Sequence, residues 1–98
     1  MTKYVGLVRK DPGSDYSVDF PDFPGCITAG PTYAEARALA AEALQFHVDG
    51  LIEDHDHIPA PTPRGVLMAD TYNQDALPIE VEVNVADRPV PAFARHNR

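Results

Sequence analysis

Between residues 79 and 85 apolar and polar positions alternate without a break: Ile79, Val81, Val83 and Val85 against Glu80, Glu82 and Asn84. A period of two marks a strand with one buried face. Tyr16, Val18 and Phe20 alternate in the same way with Ser17 and Asp19, while Tyr4, Val5, Leu7 and Val8 lend strand character to residues 3–9. Between those two segments lies DPGSD (residues 11–15), a run of turn formers that predicts a hairpin. PDFPG (residues 21–25) ends the second strand, because Pro21 and Pro24 lack amide donors and Gly25 accepts a positive φ. A short third strand is expected over residues 26–29.

The period then changes. Thr32 stands where a side chain can accept from the free amides of a helix start, and Glu35, three residues later, completes a capping box. From there to about residue 54, Ala36, Leu39, Ala40, Ala43, Leu44, His47, Val48 and Leu51 recur at helical spacing and predict an amphipathic helix. IPAPTP (residues 58–63) can join neither helix nor ladder and reads as an extended connector. Residues 64–76 carry Val66, Leu67, Met68 and Tyr72 without a clear period, which fits one short helical turn or irregular structure.

The order β-β-β-α-β predicts an α+β fold: a mostly antiparallel four-stranded sheet with one long helix packed on one face. A right-handed crossover would return the last strand parallel to the first. Residues 1–86 are expected to form a single domain, and residues 87–98, broken by Pro89 and Pro91, a flexible basic tail.

Composition narrows the functional classes. With 98 residues the chain can bury one core, and no apolar run of membrane-spanning length or secretory leader is evident, so a cytoplasmic location is expected. The single cysteine, Cys26, suits a reducing compartment and excludes an intrachain disulfide. Fifteen Asp and Glu against eight Lys and Arg give a formal charge of −7, which opposes unspecific binding to nucleic acid and favours a basic partner. The tail differs from the body, with Arg88, Arg95 and Arg98 against Asp87 alone.

No catalytic constellation emerges. The interior of the first strand has no acid, and Glu80 and Glu82 lie on the polar side of an amphipathic strand, so a carboxylate nuclease site finds no support and no enzyme activity is expected. EDHDH (residues 53–57) crowds imidazoles and carboxylates, yet a solvated helix end with His near the dipole explains it, and neither metal nor cofactor is expected. Cys26 and His47 read as core or boundary positions. In the loop, Pro21, Pro24 and Gly25 shape the turn. Asp22 and Phe23 are candidates for display at its tip, where an aromatic beside an acid suits partner recognition, although a structural role fits them equally. Asp15, Asp19 and Asp22 make up a candidate acidic face.

The stretch YSVDFPDFPGCITAG (residues 16–30), followed by Thr32, by Ala34, Glu35 and Ala36, and by Ala41, Glu42 and Ala43, resembles the HicB-like antitoxin family, and Ile58 to Pro61 also fits its pattern. The resemblance spans roughly residues 3–62. It implies a partial RNase H-like fold with sheet order 3-2-1-4, used for protein binding and not hydrolysis. It also implies a partner: a small basic HicA-like toxin that cleaves messenger RNA and is masked by the antitoxin. Many members add a C-terminal DNA-binding domain. About a dozen residues follow the last strand here, so direct DNA binding is not expected. A second reading is an orphan regulator or scaffold without a toxin, acting through self-association; exposed sheet edges and residues 64–76 are candidate contacts for a homo-oligomer.

Overall fold

A computed structural model of the chain describes residues 1–85. The expected basic tail, residues 87–98, lies outside them. In chain order the described residues form β1 (Thr2–Lys10), β2 (Tyr16–Asp19), β3 (Ile27–Gly30), α1 (Tyr33–Glu53), α2 (Arg64–Ala69), a 3-10 turn (Thr71–Asn73) and β4 (Leu77–Val83). The strands make one sheet of order β3-β2-β1-β4, antiparallel at every pairing. Order, sheet type and single long helix agree with the expected fold. Residues 64–76, the least legible segment, hold a short helix and a 3-10 turn.

Turn chemistry sets the register. In the β1–β2 hairpin the Ser14 amide donates to the Asp11 carbonyl at 3.0 Å. After β2, the Phe23 amide donates to Phe20 O and the Cys26 amide to Phe23 O, each at 2.9 Å. In the second of these turns Pro24 precedes Gly25, whose φ is +89, the type II arrangement in which only glycine sits without strain. Pro21 thus occupies the second position of the first turn, and Pro24 and Gly25 the two central positions of the second.

The strand period sorts side chains between two layers. Tyr4, Val8, Val18, Phe20, Ile79, Val81 and Val83 pack with Ala36, Ala40, Leu44 and Val48 of α1 into the main core. On the opposite face of β1, Val5 and Leu7 pack with Ala76, Leu67 and Met68. The second layer explains why residues 4–8 are buried on both sides.

That layer also reverses the expected direction of β4, which pairs antiparallel with β1, Val8 opposite Leu77 and Thr2 opposite Val83. The crossover rule holds when a helix feeds the next strand directly. Here α1 ends at the end of the sheet where β1 begins, and the chain then returns along the other face through the connector, α2 and the 3-10 turn. β4 therefore starts beside the C-terminal end of β1.

Thr32 caps α1 as predicted, its Oγ1 accepting from the Glu35 amide at 3.1 Å. The buried stripe is narrower than the periodicity suggested: Ala36, Ala40, Leu44 and Val48 are fully buried, whereas Leu39 is 43% exposed. At the far end the Asp56 amide donates to Leu51 O at 2.8 Å and the His55 amide to Ile52 O at 3.1 Å, the paired bonds of a Schellman cap. His55 holds the left-handed position of that cap at φ 58, where a Cβ is unfavourable. The His55→Gly variant is therefore expected to gain about 1 kcal/mol of stability, read as a raised urea midpoint.

Candidate partner-binding surfaces

The loop over residues 20–26 is where the structure departs most from the expected site. Phe23 is 2% exposed and lies edge-on to Tyr4, with ring centroids 4.7 Å apart, and to His47 at 5.6 Å. Its expected display at the loop tip is thereby corrected. Two tight turns in succession fold the tip back under α1, where burying the ring is favourable. Asp22 also turns inward, accepting from the Thr62 amide at 2.9 Å and from the Thr62 hydroxyl at 2.5 Å. The Tyr4 hydroxyl donates to Pro59 O at 2.5 Å. The connector is thus tied at two points, to the loop through Thr62 and to β1 through Pro59, which explains why the proline-rich segment holds one course.

The three expected acids do not form one patch. Asp15 is exposed beside the β1–β2 turn, while Asp22 sits at the other end of β2. Asp19 lies between them on the face away from α1, in an ion pair of 2.7 Å with Arg9. Sequence reasoning missed Arg9, which also donates to Tyr72 O at 3.2 Å and to Asn73 Oδ1 at 2.8 Å and lies over the Tyr72 ring at 4.6 Å. Its bond to Asp19 raises the guanidinium pKa further. Asn73 is buried and donates to Leu67 O at 2.9 Å, so this network pins the 3-10 turn to the sheet. Such a network joins residues some sixty positions apart and has no local signal.

An open apolar groove of about 440 Å³ runs between β3 and α1, lined by Thr28, Ala29, Leu39, Glu42, Ala43 and Phe46. Phe46 is 81% exposed, and Ile27 is exposed on the other side of β3. At the groove floor Thr28 Oγ1 is buried with no hydrogen-bond partner among the described residues. The spacing of Leu39, Ala43 and Phe46, four and three residues apart, was the available signal, although it reads equally well as core.

Cys26 is buried, and burial pushes its thiol pKa up. The Tyr4 hydroxyl is pushed up as well, by burial first and by the charge of Asp22 second. Both groups keep protons in the folded chain that the unfolded chain releases, so folding stability is complete below the ordinary thiol pKa and is lost as pH rises through the raised values. The urea midpoint is expected to fall above about pH 8.5, with Cys26→Ala removing the part of the decline that begins first. Among the described residues no helix is long and apolar enough to cross a membrane, and no three His, Cys, Asp or Glu side chains gather as a metal site would require.

This architecture is shared with proteins of known family. The sequence pattern of the "HicB_like antitoxin of bacterial toxin-antitoxin system" matches residues 4–92. The chain is 46% identical over 48 residues to a 14.9 kDa protein of Haemophilus phage HP1, a stretch covering 49% of this chain and 36% of that protein. It is 42% identical over 61 residues to antitoxin HicB of Escherichia coli K12, covering 62% of this chain and 44% of the antitoxin. The chain thus spans less than half the length of these two relatives. The crystal structure of antitoxin HicB from Burkholderia pseudomallei superposes with a TM-score of 0.79 at 28% identity, covering 99% of this chain and 81% of that one. With the 3-2-1-4 antiparallel sheet, the single crossing helix and the sequence pattern in agreement over most of its length, the chain belongs to the HicB-like antitoxin family of bacterial toxin-antitoxin systems.

Proposed function

We propose that this chain acts stoichiometrically and without turnover, binding a small basic HicA-like toxin and covering the surface with which that toxin engages messenger RNA. The observation that carries this reading is the family match over residues 4–92. The formal charge of −7 agrees with it, since opposite charge speeds encounter with a basic partner and disfavours wrong ones. Asp15, Glu80 and Glu82 are exposed carboxylates that such a partner could approach. Asp19 and Asp22 are engaged inside the fold, so substituting them would disturb structure and recognition together. Asp15 is the cleaner probe of the acidic contact.

Coexpression with the product of the adjacent reading frame, followed by size-exclusion chromatography, is expected to yield a complex with a protein of basic charge. Asp15→Lys is expected to weaken that complex about tenfold in titration calorimetry, mainly through slower association. Unchanged affinity would remove the Asp15 surface from the contact. No complex with any basic neighbour would refute the inhibitor reading itself.

A further inference from the structure

Tyr72 is 76% exposed, yet the turn that carries it is fixed from several sides. Its amide donates to Asp70 Oδ1 at 3.0 Å, and its carbonyl accepts from Arg9. The next residue, Asn73, is buried, its amide bonded to Asp70 O at 2.9 Å and its side chain to Arg9 and to Leu67 O. One face of the Tyr72 ring rests on the Arg9 guanidinium, 4.6 Å from the ring centre. An aromatic held in this way has little freedom left to lose on binding, so it is ordered in advance as an anchor.

The charge around this ring is negative. The β1–β2 turn and the 3-10 turn both lie at the end of the sheet where β1 stops and β4 starts. Asp11 and Asp15 of the first turn, and Asp70 and Asp75 on either side of the second, are exposed. Arg9, the cation beneath the ring, is balanced by Asp19 at 2.7 Å. Lys10 is engaged with the Asp11 carbonyl and the Tyr16 ring. Asp70 gives Oδ1 to the Tyr72 amide, and its Oδ2 accepts no hydrogen bond among the described residues.

We infer that Tyr72 and Asp70 together receive an arginine or lysine side chain of the basic toxin, an inference that rests on the inhibitor reading and extends it to a named site. The cation lies over the outer face of the ring, where the π-cloud is negative, and its N–H groups turn to Asp70 Oδ2. Arginine fits better than lysine, because a planar guanidinium stacks on a ring and reaches a carboxylate at the same time. Charge selects this occupant over a second copy. In a two-fold contact the exposed carboxylates of Asp11, Asp15, Asp70 and Asp75 would face their own counterparts. The groove between β3 and α1 offers a cation only Glu42. Asp15 lies at the same end of the sheet as Tyr72, so the acidic contact and the aromatic anchor belong to one surface.

Titration calorimetry of the full chain against the product of the adjacent reading frame tests this. Tyr72→Ala is expected to weaken the complex about tenfold or more and Tyr72→Phe less than about twofold, because the ring and not the hydroxyl holds the cation. Asp70→Asn keeps an oxygen to cap the Tyr72 amide and removes the charge. A loss of about threefold to tenfold is expected from it, with a shallower dependence of affinity on salt. Circular dichroism spectra of all three variants should match that of the parent chain. If Tyr72→Ala loosens the turn, Asp70→Asn decides alone. A parent chain that binds the toxin while Tyr72→Ala and Asp70→Asn bind it equally well overturns this inference and leaves the inhibitor reading standing. A parent chain that binds no basic neighbour removes both. Loss of affinity on Phe46→Asp with none on Tyr72→Ala would overturn the site by giving the contact to the groove. A fall in the mass of the chain alone on Tyr72→Ala would overturn it by giving the surface to a second copy.

Discussion

Phe23→Ala is expected to cost about 3–5 kcal/mol of stability, the loss typical of emptying a buried aromatic site. The ring is 2% exposed between Tyr4 of β1 and His47 of α1, so its removal opens a cavity where loop, sheet and helix meet. The loop itself cannot easily collapse to fill the space. Gly25 is committed to a positive φ, and Asp22 is anchored to Thr62. For a domain of this size the melting temperature should drop by at least about 12 °C. Phe23→Leu should recover part of that loss, because it restores apolar volume without the edge-on ring contacts. A melting temperature unchanged in Phe23→Ala would return this residue to the surface and reopen its direct role in partner recognition.

Gly30→Val is expected to be comparably damaging by the opposite mechanism. A Cβ at Gly30 would lie 2.8 Å from the Ala36 amide nitrogen and 3.1 Å from its Cα, both backbone atoms of the first turn of α1. Backbone cannot move aside as a flexible side chain would, so the helix start has to lift from β3. Overpacking of this kind costs roughly 1–3 kcal/mol and more where the backbone resists. The lift would also disturb the Thr32 cap, worth about 1 kcal/mol. A lower urea midpoint with an unchanged denaturant slope is the expected result. A midpoint equal to that of the parent chain would show that α1 does not rest on β3 through Gly30.

These two positions show where reading the chain stops. Nothing near Gly30 in sequence signals a packing contact, and only the approach of Ala36 reveals one. Phe23 sat between two prolines and beside an acid, a setting shared by display loops and by loops that insert an anchor. Which applies depends on whether a pocket waits beneath the tip, and Tyr4 and His47, which build it, lie 19 and 24 positions away. Asp22 and Arg9 were hidden for the same reason, since their partners Thr62 and Asn73 belong to segments with no period of their own.

Local chemistry alone determined the element order, the Thr32 cap, the proline-glycine turn at Pro24 and Gly25, and the alternating face of β4. Each depends on neighbours within a few positions, where propensity, period and capping act directly. The resemblance carried by residues 16–43 then supplied sheet order and family, which the comparisons uphold. Tertiary structure decided the rest. The direction of β4 depends on the return of the connector and α2 along the second face, a path that no periodicity encodes. Exposure of Leu39 and Phe46 depends on how α1 is rotated over a sheet that ends at β3. A helix stripe cannot tell a missing neighbour from a present one, so the open groove became visible only once the strands were in place.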